Sequence, residues 1–202
     1  GIILMAFTRV IFDKIALPDI SLRDQIKKGN MAVAIADTSN VIAAAIIISA
    51  LMIWVTDNSF EGFVALLAGY GISQLILTGA TYARRKVFSF LYDGKSIQEE
   101  LQSGNIALAL AFAGRKIGTA LAISMAANIV VYEVYDIKTI FLPWIAVCVA
   151  FILIVQVLSY IAERVILFKV NTMAEILDDK NIAVGAIQAV IYISIAKLIA
   201  EL

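Results

Sequence analysis

SIQEELQSGNIALAL, residues 96–110, occurs three times in this chain in different words. The earlier copy is SLRDQIKKGNMAVAI, residues 21–35, and the later one is TMAEILDDKNIAVGA, residues 172–186. Each places a hydroxyl residue (Ser21, Ser96, Thr172) three positions before an acid (Asp24, Glu99, Glu175) and nine before an asparagine (Asn30, Asn105, Asn181). An apolar-Ala-apolar-small run follows each asparagine. The asparagines stand 75 and 76 residues apart, which marks a structural period and not chance similarity.

Ser/Thr-x-x-Asp/Glu reads as a capping box, in which hydroxyl and acid satisfy free backbone donors at a helix start. Leu22 and Ile26 stand four apart, as do Ile97 and Leu101, so each short helix has one apolar side. Gly29 and Gly104 suit a helix end. Asn30, Asn105 and Asn181 suit the N-cap of the next helix. The alternative for the three asparagines is to line a pore mouth. Each passage therefore predicts a short helix on the membrane surface, a bend, and a spanning helix.

Working outward, a span needs about 20 mostly apolar residues. Five are expected at residues 30–55, 63–82, 105–131, 140–162 and 181–199. A shorter apolar run at residues 1–17 is a sixth span with its start cut away. Arg9 aligns with Arg84 one period later, so roughly a dozen residues would precede Gly1. The alternative is a surface helix. The fold class is then all-α, a polytopic transmembrane helix bundle of three tandem two-helix repeats within one membrane domain. The repeats cover residues 1–57, 58–135 and 136–202.

Twelve Lys and Arg residues fall in the repeat-bearing connections, against only Lys138 on the opposite side. That asymmetry places the repeat loops in the cytoplasm and both termini outside. Trp54, Tyr132, Tyr135 and Trp144 fall near the expected outer boundary, where amphipathic rings prefer to sit. Two spans per repeat give all three copies one orientation, related about an axis along the membrane normal. They either close into a threefold-like bundle or lie in a row. Gly114, Gly118, Ala122 and Ala126 recur every four residues and form a face for close helix packing in lipid. Ala65, Gly69 and Gly71 do the same on the third expected span.

Composition narrows the function. The chain is 62% hydrophobic and has no net charge, which leaves no case for nucleic acid. It has no histidine and one cysteine, Cys148. A histidine-based hydrolytic triad and an HExxH zinc site are excluded. No enzyme activity, cofactor or metal is expected. Ionisable and amide groups inside the spans are the candidate site: Asp37, Arg115, Lys116, Gln74, Gln156 and Gln188. Asp37 is expected to pair with Arg115 or Lys116, at a depth difference of roughly 4.5 Å for the former. Either this is a structural pair with a cation reaching toward headgroups, or it lines a path for an ion or proton. Lys197 is an anchor near the outer end, with Glu201 beside it.

The stretches GNMAVAIADTSNVIAAAI, residues 29–46, and GNIALALAFAGRKIGTALAI, residues 104–123, resemble the YjfL-like family of small bacterial inner-membrane proteins, a domain of unknown function. Gly114 and Gly118 look like that family's small positions, and Thr38 to Val41 depart from them beside Asp37. The resemblance implies a polytopic protein of the bacterial inner membrane and supplies no catalytic residues. The expected function is an oligomeric channel or transport component for an ion or small solute. The alternative is a scaffold or accessory subunit of a membrane-stress or larger membrane assembly. The expected partners are the lipid bilayer and further copies of the chain or other subunits.

Overall fold

A computed structural model describes residue 4, residues 21–132 and residues 137–201. The expected first span, Leu4 apart, and Tyr135 lie outside the described residues. The elements are α1 (Leu22–Lys27), α2 (Met31–Trp54), α3 (Phe60–Leu91), α4 (Ile97–Gln102) and α5 (Ile106–Ile129). After these come a π-helical turn (Ile137–Phe141), α6 (Leu142–Ile166), α7 (Thr172–Leu177) and α8 (Ile182–Ala200). No strand occurs among the described residues. Five helices, α2, α3, α5, α6 and α8, are long and apolar enough to cross a membrane.

Local chemistry starts and stops these helices. The Asn30 carboxamide accepts from the Val33 amide, Asn105 from Leu108, and Asn181 from Ala183 and Val184. Each meets donors that a helix N-terminus leaves free. Gly29 and Gly104 carry φ of +79° and +83°, the left-handed turn between short and long helix. The third passage has Lys180 there, at φ +49°.

The hydroxyls do not cap as expected. Ser21 Oγ donates to the Asp24 carboxylate, and neither Ser21 nor Ser96 bonds a helix amide through its side chain. Asn171, and not Thr172, caps α7, accepting from the Ala174 amide. Ser21 is exposed, where water can satisfy the backbone donors, so its hydroxyl is free to bond its acidic neighbour.

One helix also outruns its expected end. The third expected span, residues 63–82, is the middle of a 32-residue helix reaching Leu91. No Gly or Pro lies between Tyr82 and Leu91 to stop it. At a 1.5 Å rise it is about 48 Å long, longer than the hydrocarbon core of a bilayer, and its last three turns carry Arg84, Arg85 and Lys86.

α5 lies between α2 and α8 and is the most enclosed of the five. α6 packs along α5 and α8, while α3 is more peripheral. At one end, α1, α4 and α7 seat Leu22, Ile97, Leu101, Ile176 and Leu177 over the first turns of the long helices, with Val33, Leu108 and Val184 beneath. Burying a Leu or Ile there contributes about 1.5–3 kcal/mol where water is the alternative. At the other end Trp54, Tyr132, Phe141 and Trp144 form one ring cluster, Trp54 stacked on Trp144 at 5.4 Å. Trp54 and Trp144 are buried at 5% and 1% exposure. They pack into the protein core at the end opposite the short helices, joining α2 to α6.

The small residues of α5 mostly face α8. A Cβ on Gly114 would fall 2.2 Å from Ala189 Cα of α8, and one on Gly118 would fall 3.0 Å from the Tyr192 carbonyl. A Cβ on Gly185 would fall 2.2 Å from the Ala107 carbonyl oxygen of α5. Ala122 packs with Val155 and Ala196, and Ala126 belongs to the aromatic end. Gly114, Gly118 and Ala122 thus face α8 on successive turns as one close-packed interface, and only Ala126, at the aromatic end, lies outside it. Gly69 packs on Leu51, but Gly71 faces open space.

Candidate functional site

The candidate residues sort by depth. Asp37 of α2 is 7% exposed, and Lys116 of α5 is 2% exposed. Lys116 lies within electrostatic reach of both Asp37 and Arg84 of α3. Its ammonium also stands 5.7 Å from the Phe112 ring centre. A cation this enclosed survives only beside opposite charge or polar groups.

Arg115 points elsewhere. Its guanidinium is 4.0 Å from the Glu163 carboxylate of α6 and lies over the Tyr192 ring at 4.9 Å. It is not the partner of Asp37. Adjacent residues on a helix diverge by about 100°, so Arg115 and Lys116 cannot both face α2. Glu163 is the functional candidate that sequence reasoning missed. The signal available was a lone acid beside Arg164 at the end of an apolar run.

Of the three candidate glutamines, Gln188 is fully enclosed, Gln74 is 5% exposed and Gln156 is half-buried. Both amide atoms of Gln188, and the nitrogens of Gln74 and Asn40, have no hydrogen-bond partner among the described residues. Asn40 was not anticipated. Ser159 Oγ, on α6, is also buried with no hydrogen-bond partner among the described residues. Buried amides are normally satisfied, and each exception costs on the order of 1–3 kcal/mol.

Toward the ends of α3 and α6 a cavity of about 870 Å³ opens. Arg84, Arg115, Glu163, Arg164 and Lys169 line it, with Tyr92, Tyr160 and Tyr192. Arg84 reaches Thr119 Oγ1 at 3.5 Å, a weak contact. Arg164 bonds the Tyr160 hydroxyl at 3.2 Å and lies over its ring.

The asparagines do more than cap. Asn30 Nδ2 donates to the carbonyls of Leu101 and Gln102, at 3.1 and 3.0 Å. Asn105 Nδ2 donates to the carbonyl of Ile176 at 2.9 Å and to Glu100 at 3.0 Å. Asn181 Nδ2 meets Glu175 of its own short helix. The three long-helix N-termini therefore stand side by side at one end. Lys95 bridges Asp178 at 2.9 Å on this surface, and Arg85 bonds Gln98. At the far end Lys197 pairs with Glu201. Cys148 is buried against the Ile123 carbonyl. No group of three or more metal-ligating side chains occurs among the described residues.

No curated protein and no solved structure matches this chain. A family model for a Domain of Unknown Function, DUF350, matches residues 1–127 and, in a second and overlapping match, residues 58–202. Together the matches run the length of the chain, which belongs to the DUF350 family.

Proposed function

We propose that this chain is a non-enzymatic integral membrane protein, built of three tandem hairpins with six spans, that carries a small ion or solute across the bacterial inner membrane. In this reading the short helices lie on the cytoplasmic face, both termini lie outside, and copies of the chain assemble together. The observation that carries the reading is Lys116, nearly fully enclosed on the most enclosed helix, with Asp37 and Arg84 in electrostatic reach. Ionisable side chains placed inside a membrane bundle mark ion and proton pathways by default. The unpartnered amides of Asn40, Gln74 and Gln188 support it, since buried polar groups of this kind are met by water or by a passing solute.

The test is flux in liposomes containing the purified protein. Asp37→Asn should abolish it, and Gln188→Leu should reduce it. Flux that survives Asp37→Asn, or no flux for any small ion or solute tried, would sink the transport reading.

A scaffold or accessory subunit is the second reading. It is favoured by the closeness of the α5–α8 contact at Gly114 and Gly185, which makes a rigid, tightly joined body. Its mark would be co-purifying partner subunits together with the absence of flux.

A further inference from the structure

The cavity between the ends of α3 and α6 carries more cation than the described residues neutralise. Arg84, Arg115, Arg164 and Lys169 meet one carboxylate, Glu163, among the described residues that line it. That carboxylate stands 4.0 Å from Arg115, too far for a strong bidentate pair, and Arg115 Nε is buried with no hydrogen-bond partner among the described residues. Among the described residues Arg84 makes the 3.5 Å contact to Thr119. Two guanidiniums from different helices therefore bring unspent donors to one space, an arrangement that suits the oxygens of a phosphate group.

The same cavity has a greasy rim. Val87 and Leu91 of α3 and Phe168 after α6 line it, and each is more than half exposed. Those side chains belong to helices whose outward faces are apolar along their length, Leu75 and Tyr82 on α3 and Val157, Ile161 and Val165 on α6. A free phosphate ion needs no such rim; an acyl chain does. Charge surplus, apolar rim and position at the charged end of the long α3 helix select one occupant.

We propose that this cavity is a binding site for an anionic phospholipid of the adjoining leaflet. Its headgroup phosphate is held by Arg84 and Arg115, with Arg164 and Lys169 at the mouth and the chains lying along Val87, Leu91 and Phe168. The inference rests on the chain crossing a bilayer with these helix ends at one face. It does not rest on transport, and the protein would hold the lipid whether or not it conducts.

The experiment is native mass spectrometry of the detergent-purified protein with phosphatidylglycerol, phosphatidylcholine, inorganic phosphate or glycerol phosphate added separately. Phosphatidylglycerol should be retained over phosphatidylcholine, and neither soluble phosphate should displace it. Arg84→Gln with Arg115→Gln should weaken retention about thirtyfold, taking the usual contribution of one basic residue at an anionic surface twice. Arg164→Gln with Lys169→Gln, at exposed positions that leave the bundle intact, should weaken it by a smaller factor. Equal retention of the two lipids, displacement by inorganic phosphate, or retention unchanged in the Arg164/Lys169 variant and in a folded Arg84/Arg115 variant would each overturn the assignment.

Discussion

The side-chain amide of Asn105 donates to the carbonyl of Ile176, 71 residues along the chain. The amide of Asn30 makes the same bond to the carbonyl of Leu101, also 71 residues on. In each case one carboxamide caps a long helix with its oxygen and locks the next short helix with its nitrogen. Asn181 caps α8, and among the described residues its nitrogen reaches Glu175 of its own short helix.

The three asparagines should therefore differ in weight. Asn105→Ala loses a cap and strands a buried carbonyl, and should lower stability by about 2–3 kcal/mol. Asn181→Ala loses the cap and a part-exposed bond to Glu175 but strands no buried carbonyl, and should cost about 1 kcal/mol. Denaturant titration in mixed micelles, followed by tryptophan fluorescence of the Trp54–Trp144 stack, measures both. Equal losses would mean that the bond to Ile176 contributes nothing.

Glycine substitutions should divide by where the helices touch. Gly185→Ala drives a Cβ to 2.2 Å from the Ala107 carbonyl, so α5 and α8 must part. Overpacking of this kind costs up to about 3 kcal/mol. Gly79→Ala meets nothing within 4 Å and should stabilise α3 by about 0.5–1 kcal/mol through backbone entropy. Thermal unfolding of the two variants should move in opposite directions.

Lys180 occupies the left-handed position that Gly29 and Gly104 fill elsewhere. A side chain there costs about 1–2 kcal/mol relative to glycine in the same conformation. Lys180→Gly should therefore raise stability by about 1 kcal/mol, offset in part by glycine's freedom when unfolded. A lowered melting temperature would show that the Lys180 side chain makes a stabilising contact of its own.

The connection from α2 to α3 should respond to acid. The Ser59 hydroxyl, and then its backbone amide, hold the Asp57 carboxyl below its ordinary 3.8. A carboxyl depressed on folding adds stability that is present above its unfolded value and lost as pH falls through the folded one. The protection factor of the Gly62 amide, which Ser59 caps, should hold from neutral pH down to 3.8 and fall below it, once the intrinsic pH dependence of exchange is divided out. Asp57→Asn should show no such acid step.

How much was legible depends on what each feature required. Five long apolar helices could be read directly, because a bilayer demands about 20 apolar residues in line and few other structures do. The end of α3 could not be read from hydropathy. Arg84, Arg85 and Lys86 lower it there, yet nothing breaks the backbone before Gly94. The Arg115–Glu163 contact was hidden for another reason. It joins residues on α5 and α6 whose meeting depends on how each helix is rotated, and hydropathy runs carry no such information. Depth alone offered Arg115 and Lys116 equally to Asp37, and only the packing of α5 separates them.

α5 bears two adjacent cations near its middle, yet it is the helix least able to show them to lipid. Charged side chains at the centre of a lone inserting helix cost about 2.5–3.5 kcal/mol each. Segment 106–129 is thus a poor candidate to leave the translocon by itself. Its cations meet opposite charge on neighbours, Asp37 on the helix before it and Glu163 on the helix after it, so an isolated 106–129 segment should insert worse than the same segment flanked by both.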